Sequence, residues 1–142
     1  MIQKDMHNNI VPKRCISPVS VADNTAQVGQ IIDNAGYGAL EYLIALGSIA
    51  DADMTVTILL EHGDASNLSD AAAVPDELLI GTEAGAAFQF DSDNATRKLG
   101  YIGGKRYTRL TITPSGNASA ALICAIALLG HPQKAPLTSQ SA

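Results

Sequence analysis

Histidine and cysteine are the residue types in this sequence best suited to acid–base or nucleophilic chemistry. His62 follows Glu61 and lies close to Asp64, and a histidine paired with a carboxylate can transfer a proton in catalysis. Because no further residues complete such a site, we interpret His62 as an isolated surface histidine. The two cysteines, Cys15 and Cys124, stand among apolar neighbours, which favours buried thiols over a disulfide or a reactive nucleophile.

Closely spaced carboxylates raise the question of a calcium site. Asp51 and Asp53 are two residues apart, and so are Asp91 and Asp93, which Asn94 follows. Calcium loops use this spacing, but they also need a glycine at the bend and a bidentate acid further along the chain. Neither stretch has the full pattern. Both therefore predict turns whose side chains bond to their own backbone, and the sequence indicates no metal or cofactor.

The sequence lacks the common catalytic and nucleotide-binding motifs. It contains no Gly-x-Ser-x-Gly nucleophile elbow, Walker loop, Gly-x-Gly-x-x-Gly fingerprint or His-Glu-x-x-His zinc motif. The stretch "GYIGGK" is rich in glycine but lacks the strand–loop–helix setting of a phosphate site, so it predicts a turn. We therefore expect that the protein is not an enzyme.

Size and charge limit the partners further. The chain has 142 residues, which suits one domain, and a net charge of −5, which disfavours nucleic acid as a partner. Its longest apolar run has ten residues, whereas a membrane-spanning helix needs about 20, so we expect no membrane partner. The first residues lack the apolar core of a signal peptide, and we expect the protein to stay in the compartment where it is made.

Alternating apolar residues predict β-strands. In "MTVTILLEHG", Val56, Ile58 and Leu60 alternate with mostly polar residues, which is the strongest strand signal in the chain. The stretch "ALEYLIALGSI" also alternates; its Ala, Leu and Glu residues would suit a helix, but the flanking glycines favour a strand. Phe88 and Phe90 predict another strand with both rings on one face.

The arrangement of these segments predicts an all-β domain. About eight short strands recur at roughly ten-residue spacing with turn residues between them, which is typical of an antiparallel sandwich or barrel. We assign the sandwich to residues 15–130, with flexible arms at residues 1–14 and 131–142. Pro12 and Pro18 place the first apolar segment at the edge of a sheet, because proline cannot donate to a central ladder.

The apolar run at residues 120–129 is the most informative segment. It is too short for a membrane span and follows the turn "PSGN", so it predicts a strand that forms a hairpin with the one before. We expect its bulkier side, which includes Leu122 and Ile126, to face the core. Its other side is apolar too, whereas the outer face of an antiparallel sheet is normally polar. Either a loop of the same chain or another subunit would then cover it.

The second possibility defines a candidate interface. Its residues are the small apolar ones on the expected outer side and the cation pair in the first apolar segment: Ala121, Ile123, Ala125, Ala127, Lys13 and Arg14. If this placement is right, Ala125→Lys leaves the fold intact and weakens dimerisation.

Four segments resemble a known family: "IIDNAGYGALEY", "DADMTVTILLEHGD", "DNATRKLGYIGGKRYTRLTIT" and "LGHPQKAP". Over about residues 15–136 the chain resembles small structural proteins encoded beside the major capsid gene of tailed bacteriophages. This family includes a jelly-roll cement protein that decorates the outside of an icosahedral head. The four segments are turn and strand patterns, so no catalytic residues carry over.

The resemblance implies an antiparallel jelly-roll β-sandwich that binds outside a phage head and cements neighbouring major capsid protein subunits, often as a homodimer. It also implies synthesis in the host cytoplasm and a location on the capsid exterior. One alternative is a low-copy neck or spike-associated β-sandwich of the virion. Another is a β-sandwich that binds a carbohydrate or small ligand, against which the lack of Trp and the 4% aromatic content argue.

Overall fold

The fold consists almost entirely of β-strands. It is known from a computed structural model, which describes residues 4–137. The strands are β1 (Ile10–Val21), β2 (Gln27–Val28), β3 (Ile32–Asp33), β4 (Tyr37–Ile49), β5 (Thr55–Gly63), β6 (Ala72–Ala73), β7 (Leu79–Ile80), β8 (Thr96–Tyr101), β9 (Tyr107–Ser115) and β10 (Ala121–Pro132). One short α-helix, α1 (Glu83–Ala86), lies between β7 and β8, and His7–Asn9 and Asp76–Leu78 each form a single turn of 3-10 helix. Among the described residues, no helix is long and apolar enough to cross a membrane.

The strands form two antiparallel sheets. Sheet A has the order β1-β10-β4-β8-β7, and sheet B has the order β2-β9-β5-β6, with β3 also paired to β9. The chain crosses repeatedly between them: β1 lies in sheet A, β2 and β3 in B, β4 in A, β5 and β6 in B, β7 and β8 in A, β9 in B and β10 in A. This alternation makes the fold an antiparallel jelly-roll β-sandwich, which confirms the predicted fold class.

The core lies between the two sheets and follows the predicted alternation. Val56, Ile58 and Leu60 of β5 face inward, as do the alternate residues of β4, namely Leu40, Tyr42, Ile44 and Leu46. Buried hydrogen bonds join the two sheets, and in one of them the hydroxyl oxygens of Tyr42 and Thr108 are 2.6 Å apart. Because both hydroxyls are buried, this bond satisfies two polar groups that would otherwise destabilise the core.

The apolar run is a strand, as predicted, but it pairs with β1 and β4, and the predicted hairpin with the preceding strand, β9, is wrong because β9 lies in the other sheet. The two faces of β10 are also the reverse of those expected. Ala121, Ala125, Ala127 and Leu129 are buried, and so is Ile123. These residues contribute to the core rather than to an outer interface, so the four of them assigned to the interface were assigned wrongly.

The residues opposite β10 explain this orientation. Ala127 pairs with Tyr42 and Ala125 pairs with Ile44, and directly opposed residues project to the same side of a sheet. The large side chains of β4 already fill the space between the sheets at these positions. Small residues on β10 therefore fit beside them, whereas Leu or Ile would overfill the core.

The segment around the two phenylalanines is not a strand. Its first part is helix α1, where the Thr82 hydroxyl oxygen accepts the backbone N–H of Gly85 at 2.8 Å as an N-terminal cap. After it, Gln89 forms a single β-bridge with Thr55. Phe88 is buried while Phe90 is exposed, so the two rings do not share a face.

The sandwich is longer at both ends than residues 15–130. Strand β1 begins at Ile10, and β10 continues to Pro132. The outermost parts of the two predicted arms, residues 1–3 and 138–142, lie outside the described residues.

Candidate interaction surface

His62 is buried within the sandwich, and its predicted position on the surface is wrong. Its Nδ1 atom is 2.9 Å from the Tyr101 hydroxyl, which also accepts the backbone N–H of Lys105. Glu61 pairs instead with Arg109, whose Nη2 atom lies 2.7 Å from the carboxylate. The sequence neighbours His62 and Glu61 therefore have separate partners, and they form no proton-transfer pair.

Two of the candidate calcium-binding carboxylates, those of Asp51 and Asp93, accept hydrogen bonds from backbone N–H groups. Asp51 accepts the N–H of Asp53 at 2.8 Å and that of Ala118 at 2.9 Å, and these bonds hold the pKa of its carboxyl below the ordinary value. Asp93 accepts the N–H of Ile49. In the part of the chain that the structure describes, no group of three or more His, Cys, Asp or Glu side chains is placed to hold a metal ion.

The two cysteines lie on opposite sides of sheet A. Cys15 is in the core, as predicted, and burial raises the pKa of its thiol to about 12. Cys124 is only half-buried and faces outward, so its predicted burial in the core is wrong. Both are free thiols, and a disulfide between them would have to cross the sheet.

The outer side of sheet A carries an apolar surface along its two central strands. Residues of β4 and β10 that alternate with the core residues form it. We call this set the apolar face, and it consists of Leu43, Ala45, Gly47, Leu122, Cys124, Ile126 and Leu128. The register pairs Leu43 with Ile126 and Ala45 with Cys124, so the set is continuous across the two strands.

Three large side chains of the apolar face are strongly exposed. Leu43, Leu122 and Ile126 have 37%, 44% and 42% of their residue surface accessible. At one end of sheet A, Ile80 and Ile102 are also exposed and line a depression of about 390 Å³ together with Leu128. Most of the exposed large apolar residues of the described chain therefore lie on this one side of the molecule.

The apolar face has ridges and depressions. Leu122 lies across Gly47, where an added Cβ would come within 2.8 Å of the leucine Cβ. Beside this ridge, a depression of about 350 Å³ is bordered by Pro18, Ala45 and Cys124. A second depression, of about 650 Å³, continues past Ala45 and Cys124 towards Leu43, Ile126 and other residues. The surface thus offers both projecting side chains and space to receive them.

Few charges border the apolar face. Arg14 of β1 lies opposite Ile126, Lys98 of β8 lies opposite Leu43, and Glu41 precedes Leu43 by two residues on β4. Glu41 is the only carboxylate residue in the five strands of sheet A. Its partial burial raises the pKa of its carboxyl, and the nearby Lys98 opposes that shift.

The outer side of sheet B differs sharply from the apolar face. Thr57 and Thr113 are exposed and lie opposite each other on β5 and β9. On the same two strands, Glu61 and Arg109 form a cross-strand ion pair. Sheet B therefore has the polar outer side that is usual for an antiparallel sheet, and sheet A does not.

The cation pair assigned to the candidate interface lies in β1 at the edge of sheet A. Arg14 is exposed and donates to the Ser17 hydroxyl oxygen at 2.7 Å. Lys13 is partly buried, and its charge adds to the effect of Arg106, whose hydrogen bond is the main cause of the lowered pKa of Asp33. Arg14 borders the apolar face through its partner Ile126, whereas Lys13 projects to the other side of β1.

Sequence reasoning missed Leu122, Cys124 and Ile126 as surface residues. A signal was available in β4, where Leu43 and Ala45 share a side with Glu41. The residues of β10 opposite Leu43 and Ala45 must also face outward, but only the register of the folded sheet shows which residues these are.

The comparisons with known proteins give low similarities. No protein-family model matches the chain, and no curated protein matches it. Among solved structures, a GH115 4-O-methyl-α-glucuronidase specific for decorated arabinogalactans is 12% identical with a TM-score of 0.43; the match covers 84% of this chain but only 16% of that protein. The SPBc2 prophage-derived protein YomS is 10% identical with a TM-score of 0.44, and the match covers 83% of this chain and 95% of YomS.

A xylan-binding module, CBM15, is similar to the same degree. It is 13% identical with a TM-score of 0.44, and the match covers 94% of this chain and 97% of the module. All three TM-scores are below 0.5, so the fold assignment rests on the strand order described above.

Proposed function

We propose that this protein is a structural component of a phage virion that binds the outside of the head and links neighbouring major capsid protein subunits. In this role it is not an enzyme, it is made in the host cytoplasm, and it resides on the capsid exterior. The observation that carries the proposal is the apolar face, an exposed apolar surface on a sheet that would otherwise be polar outside. Such a surface favours a protein that functions in an assembly.

The segments that resemble the phage head proteins support this role in addition. They include all of β5 and β8, most of β9 and the first part of β4, so the resemblance extends over both sheets of the sandwich. The net charge of −5 also suits a position outside the shell, because an acidic protein is repelled by packaged DNA.

Repeated attachment makes a small protein effective as cement. A protein that contacts two capsid subunits holds them together even when each contact is weak, because the second contact forms at a high effective concentration. The edge of sheet A, where Lys13 and Arg14 lie on β1, remains our candidate for a contact with the shell. A shell gains stability from many such links.

Co-sedimentation with heads tests the proposal. Purified protein is mixed with expanded heads that lack decoration, the heads are pelleted, and the bound protein is measured as its concentration rises. We expect saturable binding with many copies per head. An Arg14→Glu variant would bind more weakly if the β1 edge is the contact, and Thr113→Glu on the outer side of sheet B is the matched control.

The copy number at saturation separates the proposal from its alternative. Saturation at a number close to one small ring per particle would favour a neck protein over a decoration protein. Failure of the wild-type protein to sediment with the heads would contradict a role in cementing the shell.

A further inference from the structure

We infer that the apolar face is the contact surface for a second copy of this chain, with the two copies packed sheet against sheet about a two-fold axis. The inference deepens the proposed function, which treats the same face as an assembly surface, by naming its occupant. Two sheets that pack face to face interdigitate their side chains at a separation of about 10 Å.

Shape gives the first argument. A two-fold interface uses the same patch on both partners, so the patch must contain both projections and the spaces that receive them. The apolar face does: Leu122 and Ile126 project, and depressions of about 350 and 650 Å³ lie on either side of Cys124. A partner of unrelated shape would not require both features within one patch.

Charge gives the second argument. Two copies that each carry a net charge of −5 repel each other over most of their surfaces. The outer side of sheet A lacks this acidic excess, because Arg14, Lys98 and Glu41 face the same way and their charges sum to +1. Two copies can therefore approach through this side without bringing their acidic turns together.

Area gives the third argument. Strands β10 and β4 have 12 and 13 residues, so at a rise of about 3.3 Å per residue they are roughly 40 Å long. Across four strands the sheet is about 18 Å wide, and the outer side covers on the order of 700 Å². A specific interface of standard size buries about 800 Å² per partner. The whole outer side of sheet A thus matches the area that a stable dimer needs.

Sedimentation equilibrium of the purified protein tests the inference. We expect a reversible monomer–dimer equilibrium for the wild-type chain. Ile126→Lys and, separately, Leu122→Lys should raise the dissociation constant about 30-fold or more, which corresponds to the loss of an interface hot spot. Thr57→Lys, at an exposed position within strand β5 of sheet B, should leave the constant unchanged.

The outcomes separate this inference from the proposed function. A wild-type protein that stays monomeric at high concentration overturns the inference, even if it binds heads. Dimers that Thr57→Lys disrupts as strongly as Ile126→Lys also overturn it. Dimers that depend on Ile126 and Leu122 support it, whether or not the protein sediments with heads. Circular dichroism on each variant establishes that the fold is intact, and the wild-type result does not depend on any variant.

Discussion

Ala127 of β10 lies directly opposite Tyr42 of β4, and both side chains are completely buried between the sheets. The pair fixes which side of β10 faces the core, because the tyrosine leaves room only for a small neighbour. It thereby turns Ile126 to the outside. The apolar face is thus a consequence of how the core is packed.

The structure places the two sides of β10 opposite to the sequence prediction, and this changes the expected effect of Ala125→Lys. Since Ala125 is buried, a lysine there would place an unpaired charge in the core and lower the free energy of unfolding by at least about 3 kcal/mol. Ile126→Lys, one residue further along, should cost no more than about 1 kcal/mol. Urea unfolding at low protein concentration measures both. Equal losses would contradict the assignment of the two sides.

The bond between Tyr42 and Thr108 predicts a specific pattern of stability losses. Tyr42→Phe leaves the buried Thr108 hydroxyl without its partner and should lower the free energy of unfolding by about 1–3 kcal/mol. Thr108→Val should have a similar effect for the same reason.

The double variant is the decisive control. With both hydroxyls removed, no buried group is left unsatisfied, so the combined loss should be clearly smaller than the sum of the single losses. Strictly additive losses would show that this hydrogen bond does not couple the two sheets.

Acid should destabilise the protein through carboxylates whose pKa values are lowered in the folded state. Asp51, Asp70 and Asp33 have pKa values below the ordinary 3.8: backbone N–H groups lower the first two, and Arg106 lowers the third. A carboxyl with a lowered pKa in the folded state contributes stability that is complete above its unfolded pKa. That contribution is lost as the pH falls through the lower, folded value.

The variant Asp51→Asn tests this direction of the pH dependence of stability. The variant should melt at a lower temperature than the wild type near neutral pH, and the difference should shrink as the pH falls below about 4. Melting curves followed by circular dichroism over a pH series measure it. A difference that stays constant down to strongly acidic pH would contradict a role for the Asp51 carboxylate.

The two thiols should differ in reactivity. Cys15 is buried and its pKa is raised to about 12, whereas Cys124 is half-buried on the apolar face. Thiolate is the reactive form, so a maleimide should label one thiol per folded chain at low protein concentration and two after unfolding. Cys124→Ala should abolish the labelling of the folded chain. Rapid labelling of Cys15 in that variant would contradict its burial.

Sequence patterns predicted most of the fold because most strands have one polar side. In β5, the alternation of Val56, Ile58 and Leu60 with threonines sets both the strand and its inner side. In β10 both sides are apolar, so the sequence of the strand alone does not distinguish inside from outside. Only the register against β4 does, and register is a property of the folded sheet.

The prediction of a strand at the two phenylalanines was wrong for a different reason. Alternation over Phe88 and Phe90 is too short to outweigh the preceding helix, which the Thr82 side chain caps. The predicted surface position of His62 was wrong because its hydrogen-bond partner is distant in sequence. That partner is the Tyr101 hydroxyl of β8, which satisfies the imidazole in the interior. Long-range partners of this kind leave no local pattern in the sequence.

The rate at which Cys124 is labelled, measured against protein concentration, tests the central claim most directly, because this thiol lies in the middle of the apolar face. If a second copy covers the face, the rate should fall as the concentration rises through the dimerisation range, and in Ile126→Lys it should remain high at the same concentrations. A wild-type rate that is the same at every concentration would show that no second copy covers the apolar face.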